Sequence, residues 1–104
     1  MNRIAFKMKL KPGFEDEYKK RHDALWPELT ELLKSQGLSD YSIFYDKETR
    51  ILFAVQKVEG EAGSQDLGED PIVKRWWHYM SDIMEVNEDE SPVAIPLREV
   101  FYLE

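Results

Sequence analysis

One histidine interrupts an apolar helical stripe, and it is the side chain best placed for proton transfer. Between Phe14 and Leu32, apolar or aromatic residues recur every three or four positions, and His22 occupies one of those positions. Tyr18 comes one helical turn earlier, so its hydroxyl and the imidazole can serve one pocket. An imidazole can accept or donate a proton near neutral pH. Taken alone, a histidine in such a place is more often structural than catalytic.

Two adjacent tryptophans and a tyrosine add surfaces that suit a sugar. Helix neighbours lie about 100° apart, so one of Trp76 and Trp77 is expected to pack while the other lines a groove. An indole face fits the apolar side of a sugar ring, and its N–H fits the hydroxylated edge. Tyr41, where the chain enters a strand, can supply a phenol. The second imidazole, His78, is predicted to lie on the polar side of its helix.

Composition excludes several other classes of function. The chain has 104 residues, no cysteine and a net charge of −7. Disulfides, thiolate catalysis and cysteine-ligated zinc are therefore excluded, and no metal-binding or phosphate-binding motif is found. The negative charge disfavours nucleic acid and anionic membranes as partners. Without a signal-peptide pattern or a long apolar run, we expect a cytoplasmic protein with one domain, residues 1–104.

The first half of the chain predicts a strand, a helical region and a hairpin. Residues 3–11 alternate between apolar and polar side chains, which is typical of a half-buried strand. The helix that opens at Phe14 meets Pro27, so it either kinks near residues 23–26 or stops and restarts at the proline. Gly37 is predicted to end it. Strands around residues 41–45 and over residues 51–58 follow, and the second is apolar on both faces.

The second half supplies one more helix and a last strand. Asp70 and Pro71 predict a helix start, and an apolar stripe continues from there to Met84. Residues 97–103 are predicted to form the last strand. The order β-α-β-β-α-β indicates an α+β, ferredoxin-like fold, a four-stranded antiparallel sheet with both helices on one face. Because two strands are apolar on both sides, a second copy of the chain is expected to cover the other face.

Three segments resemble the L-rhamnose mutarotase family over essentially the whole length of the chain. The first two carry the patterns RHxxxWPEL, starting at Arg21, and RWWxYM, starting at Arg75; the third runs from Glu99 to Leu103. The resemblance implies a dimeric α+β barrel that interconverts the α and β anomers of L-rhamnose without metal or cofactor. It implies His22 as the proton donor, and the sugar contacts it implies are Tyr18, Tyr41, Trp76 and Trp77.

The inventory of side chains fits that chemistry, and the resemblance makes a catalytic His22 the preferred interpretation. A pyranose ring opens when the anomeric hydroxyl loses a proton and the ring oxygen gains one, and an imidazole can act in both directions. Two alternatives remain open at this point. A cofactor-independent oxygenase on the same fold would consume oxygen with an aromatic substrate. A non-catalytic sugar-binding module would hold the sugar without speeding anomer exchange.

Overall fold

Four strands form one antiparallel sheet in the computed structural model, which describes residues 2–104. The order across the sheet is β2-β3-β1-β4, the ferredoxin-like arrangement that the sequence predicts. Three α-helices and one short 3₁₀ helix connect the strands. The strands are β1 (Asn2–Lys9), β2 (Leu38–Asp46), β3 (Ile51–Val58) and β4 (Ile95–Leu97), and the helices are α1 (Glu15–Asp23), α2 (Pro27–Ser35), the 3₁₀ helix (Ser64–Asp66) and α3 (Pro71–Met80).

One face of the sheet carries the hydrophobic core. Phe6 and Met8 of β1 and Leu52 and Ala54 of β3 are at most 5% exposed, and they pack with buried residues of the helices. Side chains alternate along a strand, so the residues between them point to the other face. Val55 on that face is 38% exposed. The sheet is therefore covered by helices on one side only.

Pro27 divides the first helical region into two helices. The proline occupies the first turn of α2, where its missing N–H costs no hydrogen bond. Of the two alternatives for this region, the stop and restart is the one observed. Gly37 follows α2 with a φ of +83°, as expected for a residue just past a helix end. No helix within residues 2–104 is long and apolar enough to cross a membrane.

The helix α3 starts where the sequence predicts but ends earlier. The Asp70 side chain accepts a hydrogen bond from the Ile72 backbone N–H at 2.8 Å. The predicted stripe to Met84 is wrong as a helix, because α3 ends at Met80. The next residues leave the helix to pair with the end of β1, and the Lys11 N–H donates to the Ile83 carbonyl at 2.9 Å. Ile83 and Met84 remain buried in that conformation.

The predicted strand over residues 97–103 is also wrong in its bounds. Only Ile95–Leu97 pair with β1, opposite Ala5–Lys7, and Pro96 at the centre has no N–H to donate. Beyond Leu97, the tail is held by side-chain contacts and, within residues 2–104, not by backbone hydrogen bonds to the sheet. The Arg3 guanidinium binds the Glu99 carboxylate at 2.9 Å and lies over the Tyr102 ring at 3.5 Å. Apolar side chains of this tail are exposed, namely Val100, Phe101 and Leu103.

Candidate active site

The helix α1 brings Tyr18 and His22 together at the edge of a cavity. Their rings stack with centroids 4.2 Å apart and planes 27° from parallel. The His22 Nδ1 atom lies 3.0 Å from the Tyr18 backbone carbonyl oxygen. Because a carbonyl oxygen can only accept, Nδ1 carries the hydrogen of the neutral ring. The Nε2 atom is then left with a lone pair that can accept a proton from a bound molecule.

Burial sets the protonation states of both residues. It lowers the pKa of His22 below the usual 6.5, although the Tyr18 carbonyl and Asp23 act in the opposite direction. Burial also raises the pKa of the Tyr18 phenol far above its usual value, and the nearby Tyr41 adds to this effect. At neutral pH the imidazole is therefore uncharged and the phenol keeps its proton. The pair offers one proton acceptor and one hydrogen-bond donor.

Aromatic side chains from α3 and from the break before α2 form a cluster that contacts the imidazole through Trp76. The Trp76 ring meets the His22 ring edge-on at 5.3 Å and the Trp26 ring edge-on at 5.2 Å. Trp26 directly precedes Pro27, so the end of α1 is what allows this indole to turn toward α3. The Trp26 ring also stacks on Tyr79 at 5.7 Å. Such pairs fix ring orientation as well as burying area.

Trp77 faces a different neighbour from Trp76. Its ring packs against Gly68, where an added Cβ atom would lie 2.8 Å from the Trp77 Cζ3 atom. Both indoles are under 10% exposed, and both border the cavity. The predicted division between a packing and a groove-lining indole is therefore wrong. The two rings do point apart, one toward α1 and one toward the loop after β3, but the cavity touches both.

A buried hydrogen-bonded group supports the other side of the cavity. The Gln56 side-chain nitrogen donates to the Ser64 hydroxyl at 2.9 Å, and the Ser64 backbone N–H donates to the Gln56 side-chain oxygen at 2.7 Å. The Ser64 hydroxyl donates in turn to the Tyr41 hydroxyl at 3.4 Å. Burial raises the pKa of Tyr41, so this phenol also stays protonated at neutral pH.

All five residues predicted for the site border one cavity of about 800 Å³. That volume falls within the range of about 300–1,000 Å³ that is typical of small-molecule sites. His78 lies outside it, three-quarters exposed and paired with Glu90 at 2.9 Å. Within the described residues, no group of three or more histidine, aspartate or glutamate side chains is placed to hold a metal ion.

Three residues in or beside the site were not predicted as site residues from the sequence. Ser64 borders the cavity, whereas Trp26 and Gln56 contact residues that do. The sequence does contain a feature that points to Gln56. This residue alternates with Ala54 and Val58 on the buried face of β3, so a polar side chain there requires partners. No such feature points to Ser64, because its position depends on how the loop after β3 folds back.

Comparisons with known proteins agree in one assignment. A family profile described as L-rhamnose mutarotase matches residues 3–103. The chain is 67% identical to an L-rhamnose mutarotase of Bacteroides thetaiotaomicron and 64% identical to one of Phocaeicola vulgatus, over 100% of both chains in each case. A crystal structure of an L-rhamnose mutarotase from Formosa agariphila superposes with a TM-score of 0.92 at 60% identity, covering 100% of each chain.

Proposed function

This chain belongs to the L-rhamnose mutarotase family, and we propose that it interconverts the α and β anomers of L-rhamnose by acid–base catalysis at His22. The observation that carries the proposal is the state of the imidazole. Its Nδ1–H is held by the Tyr18 carbonyl, its pKa is lowered, the Nε2 atom has no hydrogen bond to residues 2–104, and the residue borders the cavity. A neutral imidazole of this kind is a proton acceptor.

In the proposed reaction one nitrogen serves both sugar oxygens. The His22 Nε2 atom takes the proton of the anomeric hydroxyl, and an N–H bond forms. The C1–O5 bond then breaks as the C1–O1 double bond forms, and the same proton moves from Nε2 to O5. Rotation about C1–C2 and the reverse steps give the other anomer. One group suffices because O1 and O5 are bonded to the same carbon.

The remaining site residues are proposed to hold the sugar while C1 turns. Trp76 and Trp77 present aromatic surface to the cavity, which suits the ring carbons and the methyl group of a 6-deoxy sugar. The phenols of Tyr18 and Tyr41 stay protonated and are available as hydrogen-bond donors. The reaction needs no redox partner, since a proton is the only species transferred.

We further propose that the protein acts in the cytoplasm as a homodimer. The support for the dimer is a band of apolar side chains on the sheet face that the helices leave open. The strand register puts Phe44 opposite Phe53, and Val55 opposite Ala5, which is itself opposite Leu97. A second copy of the chain is the natural cover, because most homo-oligomers bury the same patch of both subunits. The chain has no cysteine and so needs no oxidising compartment, which supports a cytoplasmic location.

The activity is tested by anomer exchange in L-rhamnose. Saturation transfer between the two H1 signals should be faster with the protein than in buffer alone. The His22→Asn variant should fold and bind L-rhamnose, yet its protein-dependent exchange rate should fall by about 10²–10⁴-fold, the usual contribution of one acid–base group. The matched control is His78→Asn, which changes an exposed imidazole outside the cavity and should exchange at the parent rate.

Two outcomes would contradict the proposal at different points. A parent protein that binds L-rhamnose without speeding exchange would be a sugar-binding module. A folded His22→Asn protein that exchanges at the parent rate would keep the activity but remove the imidazole from the mechanism. Circular dichroism on both variants excludes loss of fold as the cause of either result.

A further inference from the structure

We infer that Gln56 and Ser64 set the direction of a hydrogen-bond chain that makes the Tyr41 hydroxyl a donor into the cavity. In this inference Gln56 and Ser64 are positioning residues, and Tyr41 is the group that touches the sugar. It rests on the proposed function, because the acceptor in the cavity is taken to be an oxygen of the sugar.

The direction of this hydrogen-bond chain is fixed by the backbone N–H of Ser64. The Ser64 N–H lies 2.7 Å from one atom of the Gln56 side-chain amide. A backbone N–H can only donate, so that atom is the carbonyl oxygen and the other is the NH₂ group. The orientation of the amide therefore follows from its surroundings. The NH₂ group then donates to the Ser64 Oγ atom at 2.9 Å.

The next link determines where the Ser64 hydrogen points. The Ser64 Oγ atom receives hydrogen bonds from the Gln56 amide and, at 3.3 Å, from the Gln65 amide. Its own hydrogen must go to a neighbour that can accept, and that neighbour is the Tyr41 oxygen at 3.4 Å. The Tyr41 oxygen is thus occupied as an acceptor. Although burial raises the pKa of Tyr41, the Gln56 side chain, like that of Ser64, lowers it by hydrogen bonding, as a donor to the phenol oxygen does. Within residues 2–104 the Tyr41 hydrogen itself has no hydrogen-bonded acceptor, so it is left for a molecule in the cavity.

Burial keeps this arrangement from reversing. Gln56 is fully buried and Ser64 is 7% exposed, so neither can exchange its partner for bulk water. Losing one partner of a buried amide carries the full desolvation cost of the group left behind. The cavity therefore presents an acceptor at His22 and a donor at Tyr41. That pair of opposite polarity matches a hemiacetal, which has a hydroxyl proton to give and a ring oxygen that accepts.

The role of the hydrogen-bond chain in sugar binding is tested with Ser64→Ala, Tyr41→Phe and the double variant. Binding of L-rhamnose is measured by titrating the tryptophan fluorescence. Each single variant should bind about 3- to 10-fold more weakly, the effect of one neutral hydrogen bond. The double variant should bind no more weakly than Tyr41→Phe, because both changes remove the same interaction. Ser64→Thr keeps the hydroxyl and should restore binding, and Ser35→Ala, an exposed hydroxyl on α2, should leave it unchanged.

A second variant reverses the direction of the chain instead of deleting a link. In Gln56→Glu an ionised carboxylate can no longer donate, so the Ser64 hydroxyl turns toward it and Tyr41 must donate to Ser64. Sugar binding should then weaken relative to the parent at high pH and recover as the introduced carboxylate is protonated. Because an ionised carboxylate buried at position 56 would also lower the free energy of unfolding, urea unfolding is followed over the same pH range, and the loss of binding counts only where the variant is folded. If Ser64→Ala does not fold, Gln56→Glu still tests whether the hydrogen-bond chain orients Tyr41.

A measurement without sugar separates this inference from the proposed function. The ¹³C shift of the Tyr41 Cζ atom in tyrosine-labelled protein reports the hydrogen bonds of its oxygen, and it should change in Ser64→Ala but not in Ser35→Ala. An unchanged shift, additive losses in the double variant, or parent-like binding by Tyr41→Phe would each overturn the inference. A parent protein without exchange activity would instead defeat the proposed function, and the Cζ shift would still decide the inference.

Discussion

The His22 imidazole is half-buried, and its lowered pKa determines how the reaction should depend on pH. Burial disfavours the charged ring, so the neutral form persists below the usual 6.5. Since the proposed reaction starts from the neutral ring, kcat/KM should fall as the pH drops, with a midpoint below 6.5. The measurement is saturation transfer over a pH series. A midpoint above 6.5 would contradict the lowered pKa of His22, and a rate that rises with acid would assign the activity to the protonated ring.

The same shift has a consequence for stability, with a defined sign. The unfolded chain binds a proton at His22 more tightly than the folded chain does, because the pKa is lower in the folded state. The free energy of unfolding should therefore fall as the pH drops from about 6.5 through the folded pKa. Urea unfolding of the parent and of His22→Asn over that range measures it, and the variant should lose this part of the pH dependence.

Single residues could be singled out from the sequence where a pattern was broken in an obvious way. His22 stood out because a titratable ring occupied an apolar position, and the family resemblance added Tyr18, Tyr41, Trp76 and Trp77. Gln56 breaks the pattern of β3 in the same manner, yet the prediction for that strand named only its apolar residues. The convergence of Gln56, Ser64 and Tyr41 could not be predicted, because it depends on the path of a loop without periodicity.

At the scale of elements, the loop after β3 depends on a glycine at a close contact. A Cβ atom at Gly63 would lie 2.2 Å from the Ile4 Cδ1 atom and 2.6 Å from the Gln56 side-chain oxygen. Gly63→Ala should therefore displace the amide of Gln56 and reduce the free energy of unfolding by about 1–3 kcal/mol, the usual cost of overpacking. Urea unfolding with circular dichroism measures the loss.

The matched control for that variant is in the same loop. A Cβ atom at Gly60 meets no other atom within 4 Å, so Gly60→Ala should change the stability little. If both variants are as stable as the parent, the loop has more freedom than its contacts indicate. A large loss in Gly60→Ala would point to backbone conformation as the cause and not to the contact with Gln56.

The bounds of a helix or strand could be predicted where a single residue determines them. They could not be predicted where they depend on pairing with another strand. Pro27 and Asp70 fix helix starts through local chemistry. The start after Asp70 was predicted, and the restart at Pro27 was one of two alternatives that the sequence left open. The strand β4 depends on what β1 offers as a partner, and that edge is used only at Ala5–Lys7. Apolar alternation beyond Leu97 therefore suggested a strand that the sheet does not extend.

At the scale of the whole molecule, the open sheet face predicts the oligomeric state. Light scattering should return twice the mass of one chain for the parent. Val55 is 38% exposed and lies near the middle of the apolar band, so Val55→Lys should give monomers, since a charge would be buried on both sides of a symmetric interface. Val93 is 37% exposed but lies in the loop before β4, so Val93→Lys should remain dimeric. A parent that stays monomeric at micromolar concentration would rule out the dimer.

The position of β1 in the sheet also governs the order in which the chain can fold during synthesis. The first strand to leave the ribosome lies in the interior of the sheet, and both of its neighbours, β3 and β4, are made much later. Until then its apolar stripe has no partner, and a nascent chain in this state is prone to aggregate. The hairpin of β2 and β3 can form locally, whereas β1 must close a long loop to join it. The cavity beside His22, with walls from α1 and α3, therefore appears only when synthesis is almost complete.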